Sequence, residues 1–145
     1  MNNSSNQSAN PEIAVPLTRL NLFSGGEFER QQSYSRAVVV GNQVFVSGTT
    51  GYDYASCILA EGAEAQMQQL LSNLKKVLAQ INASLSDVVR TRIYISDPDQ
   101  YDAVMRVFAD AFRGINPACT TVQAGLFEKE IIVEMDTDVV LNAGA

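Results

Sequence analysis

Residues 61–82 constrain the fold more than any other stretch of this sequence. Ala63, Met67, Leu70, Leu71, Leu74, Val77, Leu78 and Ile81 recur there at the three-and-four spacing of one helical face. Gln66, Gln69, Lys75, Lys76 and Gln80 take the opposite, solvent-directed side. A helix with one apolar stripe has to bury it against another layer, and the next segment offers one. In residues 88–96, Val89, Thr91, Ile93 and Ile95 alternate with Arg90, Arg92 and Tyr94, which is the period of a strand. Asp97-Pro98-Asp99 then reads as a helix start, a capping carboxylate followed by proline at the first helical position. That helix continues through Tyr101, Val104, Met105, Phe108, Ala111 and Phe112 and stops before Gly114, Asn116 and Pro117.

The flanks read as strands. Residues 19–23 form a first candidate, broken by Ser24-Gly25-Gly26 and followed by a polar loop through Glu29, Arg30, Gln31 and Gln32. Residues 36–40 and 44–47 are β-branched runs around Gly41-Asn42-Gln43, a hairpin spacing with Gly or Asn at positive φ. Residues 48–52 read as a loop, and residues 119–124 and 131–141 as closing strands around a turn at 125–129. The order implies an α+β domain, one mixed sheet covered on one face by two helices. A sheet face left uncovered favours self-association, so the pattern leans toward a homo-oligomer. With 145 residues, 46% of them apolar, one domain is expected over residues 17–145, preceded by a disordered N-terminal arm at residues 1–16, polar and interrupted by Pro11 and Pro16.

Charge and composition remove several functions. Ten Lys and Arg against sixteen Asp and Glu give a net charge of −6, which opposes nucleic-acid phosphates and anionic membranes. Histidine is absent, which excludes Ser-His-Asp and Cys-His catalysis and His-ligated metals and leaves acid–base work to carboxylate, Tyr, Cys, backbone or water. Cys57 and Cys119 are too few and too far apart for a zinc site and read as free thiols in a reducing compartment. No residue pattern indicates a metal or an organic cofactor. Without a signal-peptide pattern or an apolar run of membrane-spanning length, a cytoplasmic location is expected. Gly48-Thr49-Thr50-Gly51 lacks the lysine and the glycine spacing of a phosphate loop.

Several fragments, in order, carry a resemblance: Tyr34-Ser35-Arg36, Val44-Phe45-Val46-Ser47-Gly48, Leu74-Lys75-Lys76-Val77-Leu78, Ser84-Leu85-Ser86-Asp87-Val88-Val89, Asn116-Pro117-Ala118 and Val133-Glu134-Met135. Over about residues 30–140 the chain resembles the Rid (reactive intermediate deaminase) family. The resemblance implies a chorismate-mutase-like fold, a homotrimer with clefts at the subunit interfaces, and hydrolysis of imines or enamines derived from amino acids to 2-oxo acids and ammonia. It also implies a substrate-binding role for Tyr34, Ser47 and Gly48, and association of Glu134 with the attacking water. Where the deaminases carry an arginine that grips the substrate carboxylate, this chain has Cys119, followed by Thr120 and Thr121. A thiol cannot replace a bidentate guanidinium, and losing one such desolvated partner costs on the order of 2–5 kcal/mol. Standard 2-imino acids are therefore expected to be poor ligands unless Arg36, Arg90 or Arg92 reaches the cleft.

Each of these residues also has a plain structural reading. Glu134 alternates with Val133 and Met135, so it shares a sheet side with Asp136; it is either solvated or a cleft base. Tyr34 is a cleft-lining ring or a strand-edge aromatic; Ser47 is a strand-end hydrogen bonder or positions substrate or water, not a nucleophile. Cys119 is a small buried hydrophobe or a cleft thiol with Glu134 as proton partner, and Thr120 a neighbouring substrate contact. The functional expectation is a small-molecule hydrolase of altered specificity, with Glu134 and Cys119 as its catalytic candidates. The alternative is a non-catalytic trimer that binds a metabolite.

Overall fold

The computed structural model describes residues 18–145, so the predicted arm at 1–16 lies outside the described residues. In chain order the elements are β1 (Arg19–Leu22), α1 (Glu27–Gln31), β2 (Ala37–Val40), β3 (Gln43–Thr50), β4 (Tyr52–Asp53), β5 (Ile58–Leu59), α2 (Ala63–Ala79), β6 (Val88–Ile95), α3 (Tyr101–Ala111), β7 (Ala118–Gln123) and β8 (Val133–Val140). Six strands form one sheet in the order β1-β2-β3-β8-β6-β7. Every pairing in it is antiparallel except β6 with β7, whose parallel register needs the crossover that α3 provides.

The core lies between the sheet and the helices. From α2, Met67, Leu70, Leu74 and Leu78 are fully buried, and from α3 Val104 and Phe108 join them over Val44, Ile93, Val133, Met135 and Val139. Both helices thus cover one sheet face, as their stripes predict. The helix expected at 61–82 ends earlier, because Asn82 adopts φ 56° and the Ala83 N–H returns to the carbonyl of Leu78 at 3.0 Å. Ser84 and Asp87 then cap the next turn reciprocally. Asp97 accepts from the Asp99 N–H at 3.0 Å, as the Asp-Pro-Asp pattern predicts.

Three local expectations are corrected. Residues 48–50 are not a loop: β3 runs on to Thr50 and pairs Thr49 with Met135 and Thr50 with Glu134. The polar stretch holding Glu29 contains α1, and Glu29 is only 3% exposed. Gln66, assigned to the solvent side of α2, is 2% exposed, because its amide donates to the carbonyl of Glu130 at 3.0 Å and accepts from the Ile132 N–H at 2.8 Å. Backbone that would otherwise be orphaned there drew a polar side chain into the core.

The sheet face away from the helices carries the other half of each alternation. Cross-strand register lines up Arg90 with Asp138, Arg92 with Asp136 and Tyr94 with Glu134, and sets Phe45 opposite Asp138. Arg92 bonds Asp136 at 2.5 Å and Asp138 at 3.0 Å, and the Tyr94 hydroxyl donates to Asp136 at 2.8 Å.

Candidate active site

The site forms where β3 departs from its register with β8. Between Val46–Thr137 and Thr49–Met135 the pairing shifts, so Ser47 and Gly48 together face a single residue of β8. Such a bulge re-aims side chains and backbone at a sheet's working face. Glu134 lies against it. A Cβ on Gly48 would collide with Glu134 Oε1 and stand 3.2 Å from Cδ, so only glycine leaves room for the carboxylate here. Gly48 is thus part of the site because it lacks a side chain.

Glu134 is half-buried. Asp136 and Asp138 on the same face are held by arginines, whereas the Glu134 carboxylate takes part in no hydrogen bond or ion pair among the described residues. Loss of water around it raises its pKa, Arg36 acts in the opposite direction, and Asp136 adds to the rise.

Arg36 supports the bulge from behind. It is 2% exposed, pairs through Nε with Glu29 at 3.2 Å, and donates from Nη1 to the Gly48 carbonyl at 2.7 Å, Thr49 Oγ1 at 3.2 Å and the Tyr54 hydroxyl at 3.1 Å. Its guanidinium carbon lies 4.8 Å from the Tyr54 ring centre and 5.8 Å from that of Tyr34. Glu29 accepts in turn from the Ser24 N–H at 2.8 Å and from the Ser24 hydroxyl. Sequence reasoning missed Glu29 and Thr49. Nothing in the periodicity of Glu-Phe-Glu-Arg-Gln-Gln distinguishes a buried counter-charge from a solvated one.

The nominated residues divide between the two sides of the sheet. Tyr34 is 39% exposed and stands beside Arg36, and the Ser47 hydroxyl donates to the Ser35 carbonyl at 2.7 Å while its N–H donates to the Arg36 carbonyl. Ser47 therefore ties the bulge to the segment that enters β2. On β7, Thr120 pairs in register with Arg92 and so shares the Glu134 side. Cys119 pairs with Thr91, a fully buried residue on the helix-covered side. Within one chain the sheet stands between Cys119 and Glu134, which rules out their proton partnership there. Nor is Cys119 a buried hydrophobe in the single chain: it is exposed at the sheet edge, with Sγ 3.7 Å from Thr121 Oγ1. Beside that edge a groove of about 420 Å³ runs between α3 and β7, bordered by Tyr101, Asp102, Thr121 and Gln123.

The candidate cations are all engaged: Arg36 in the buried network, Arg92 with Asp136 and Asp138, and Arg90 at 3.9 Å from Asp138. Among the described residues no group of three or more His, Cys, Asp or Glu is placed to hold a metal, and no helix is long and apolar enough to cross a membrane.

The resemblance to Rid proteins nominated Ser47, Gly48 and Glu134, which the fold brings together, and comparison with known proteins agrees on the family. A family model described as Endoribonuclease L-PSP, the YjgF/Rid family, matches residues 26–141. The chain belongs to this family. A RutC family protein of Pyrococcus abyssi is 30% identical over 104 residues, 71% of this chain and 82% of that protein. Among solved structures, a Mycobacterium tuberculosis member of the YjgF/YER057c/UK114 family is 37% identical with a TM-score of 0.77, covering 86% of this chain and all of that one. RidA from an Antarctic Psychrobacter is 32% identical with a TM-score of 0.71, over 75% of this chain and 89% of its own. The chorismate-mutase-like architecture of the Rid family is therefore the architecture of this chain.

Proposed function

We propose that this Rid-family protein is a small-molecule hydrolase that uses Glu134 to activate water against an imine or enamine carbon, in a cleft completed by further copies in a homotrimer. One observation carries the reading: Glu134 is the acid on the open sheet face that is half-buried and unpaired, with its proton affinity raised by desolvation. A carboxylate whose proton affinity is raised in this way is better suited to act as a general base than an ordinary solvated one. In the reaction, Glu134 takes a proton from water as the oxygen bonds to the imine carbon. Glu134 passes that proton to the imine nitrogen, giving the carbinolamine, and then relays the hydroxyl proton to the amine as the carbon–nitrogen bond breaks, so that a carbonyl compound and ammonia leave and the carboxylate is regenerated. Gly48 and Ser47 shape the bulge beside the reacting carbon, Tyr34 supplies an aromatic wall, Thr120 lines the approach, and Cys119 reaches it from β7 of a neighbouring copy.

Substrate class follows from the charges. Cys119 replaces the expected arginine, and Arg36, Arg90 and Arg92 already have carboxylate partners. A substrate carboxylate would meet Glu134, Asp136 and Asp138 without a free guanidinium to balance them. The preferred substrates are imines or enamines without a carboxylate. RNA cleavage, suggested by the family description, is disfavoured by the net charge of −6, the missing histidine and an acid-lined open face.

The test is turnover. Purified protein is incubated with 2-aminoacrylate generated in place and, separately, with carboxylate-free imines, and ammonia release is followed. Faster release from the carboxylate-free imines, abolished by Glu134→Gln, is expected. Full activity in Glu134→Gln would remove the water-activating role. Thermal stabilisation by an imine analogue, with no imine turned over, would point to a binding protein.

A further inference from the structure

We propose that Arg36 is the positioning residue of this site: its guanidinium holds the Gly48 carbonyl from one side while the Glu134 carboxylate rests on the same glycine from the other, with Glu29 as the counter-charge that keeps it there. The inference rests on the reading of Glu134 as the working acid and names what fixes its place and charge.

The geometry separates this pair from an ordinary internal ion pair. Arg36 is the one buried cation among the described residues, and Glu29 meets only its Nε. The Nη1 donors go elsewhere, to the Gly48 carbonyl, Thr49 Oγ1 and the Tyr54 hydroxyl. Two of those three acceptors belong to the bulge segment that carries the site. A planar fork can reach Glu29 and Gly48 in different directions at once, whereas a lysine offers a single point of charge. The bulge takes Gly48 out of the β3–β8 register, so its carbonyl position depends on what grips it. A small shift of Gly48 would bring it into Glu134, since no spare space separates the glycine from the carboxylate.

Charge acts along the same line. The ionisable groups around Glu134 are Arg36 from the residue before β2, Asp136 from its own strand and Tyr94 across on β6. Arg36 favours the ionised form of Glu134, and Asp136 disfavours it. Glu29 limits how much of the Arg36 charge is felt.

The experiment reads Glu134 directly, by carbon-13 NMR of protein labelled at the glutamate carboxyls, with the Glu134 signal assigned by its loss in Glu134→Gln. In Glu29→Gln, which keeps the shape and deletes the counter-charge, the Glu134 midpoint is expected to fall by about one pH unit, the scale of a close opposite charge. In Arg36→Lys, which keeps the charge and loses the fork, the Gly48 carbonyl resonance is expected to move. A purely structural role would lower the melting temperature of Glu29→Gln and leave the Glu134 midpoint where it was, and that result overturns the proposal. Should Glu29→Gln not fold, an unmoved Gly48 carbonyl resonance in Arg36→Lys overturns it equally. Turnover by Glu134→Gln tests the water-activating role separately, so the two failures are read apart.

Discussion

A carboxylate that is half-buried and unpaired holds its proton more tightly in the folded chain than in the unfolded one. For Glu134 the cause is chiefly lost hydration, reinforced by Asp136 and opposed by Arg36. The sign of its effect on stability follows. Between the ordinary carboxylate range and the raised value, the folded state binds more protons than the unfolded state, so stability falls as pH rises through that window. Glu134→Gln removes the ionisation, and the variant is expected to be more stable than the parent at pH 7, with the difference closing below about pH 4, where the parent side chain is also protonated. Chemical denaturation at the two pH values checks this, and a variant less stable than the parent at pH 7 would contradict the desolvated placement. The same residue is expected to be indispensable for turnover, the usual opposition of activity and stability at a working acid.

At the scale of elements, the buried amide of Gln66 joins α2 to the segment entering β8, the strand that presents Glu134. Its two hydrogen bonds satisfy the carbonyl of Glu130 and the N–H of Ile132, and leaving a buried backbone group unpaired costs on the order of 1–3 kcal/mol. Gln66→Ala is expected to lose about that much for each orphaned group, read as a lower denaturant midpoint, whereas Gln68→Ala, at an exposed position of α2, changes little. Equal effects of the two substitutions would mean that the α2–β8 bridge contributes nothing. Gln66 also marks where the sequence stops being legible. The stripe of α2, the alternation of β8 and the Asp97-Pro98 start are local signals and are found in place, whereas the alternation of β6 holds only from Thr91 onward: Val89, read with the apolar set, is 39% exposed at a register shift and Val88 is buried instead. Gln66 is buried by partners that no local period reports, the nearer of them 64 residues away, and Glu29 is buried by Ser24 and Arg36, which flank its helix and lie outside any helical or strand period. The strands β4 and β5, at two residues each, are too short to show any alternation. In the site, the resemblance nominated Tyr34, Ser47, Gly48 and Glu134. The residues alone could not separate a desolvated Glu134 from a solvated one, because that depends on Gly48 in another strand. Nor could a linear reading show that Cys119 and Glu134 fall on opposite sides of one sheet, a consequence of the parallel register of β7 with β6.

For the whole molecule, the sheet face away from the helices combines two features that suit it to be covered by further copies of the chain. Apart from Glu134 its charges answer one another, since Arg90 and Arg92 are matched by Asp136 and Asp138, so burying the ladder leaves Glu134 as its one unpaired acid. Apolar side chains flank the ladder: Phe45 at 47% exposure, Val122 at 41%, and Val38 opposite Phe45 in register. Association over this face would further desolvate Glu134 and bring β7 of one copy toward the bulge of another, joining the side chains that one chain's sheet keeps apart. Phe45→Glu tests this at one position. Phe45 lies directly opposite Asp138, so the new carboxylate adds a like charge in the ladder and deletes the apolar contact. The side chain is exposed in the single chain, so the fold should survive with an unchanged far-UV circular dichroism spectrum. Sedimentation velocity is expected to show a trimer for the parent and a shift toward monomer for Phe45→Glu, with turnover lost in parallel. A parent that sediments as a monomer at every concentration would remove the shared cleft. A dissociated variant that keeps full activity would place the whole reaction within one chain.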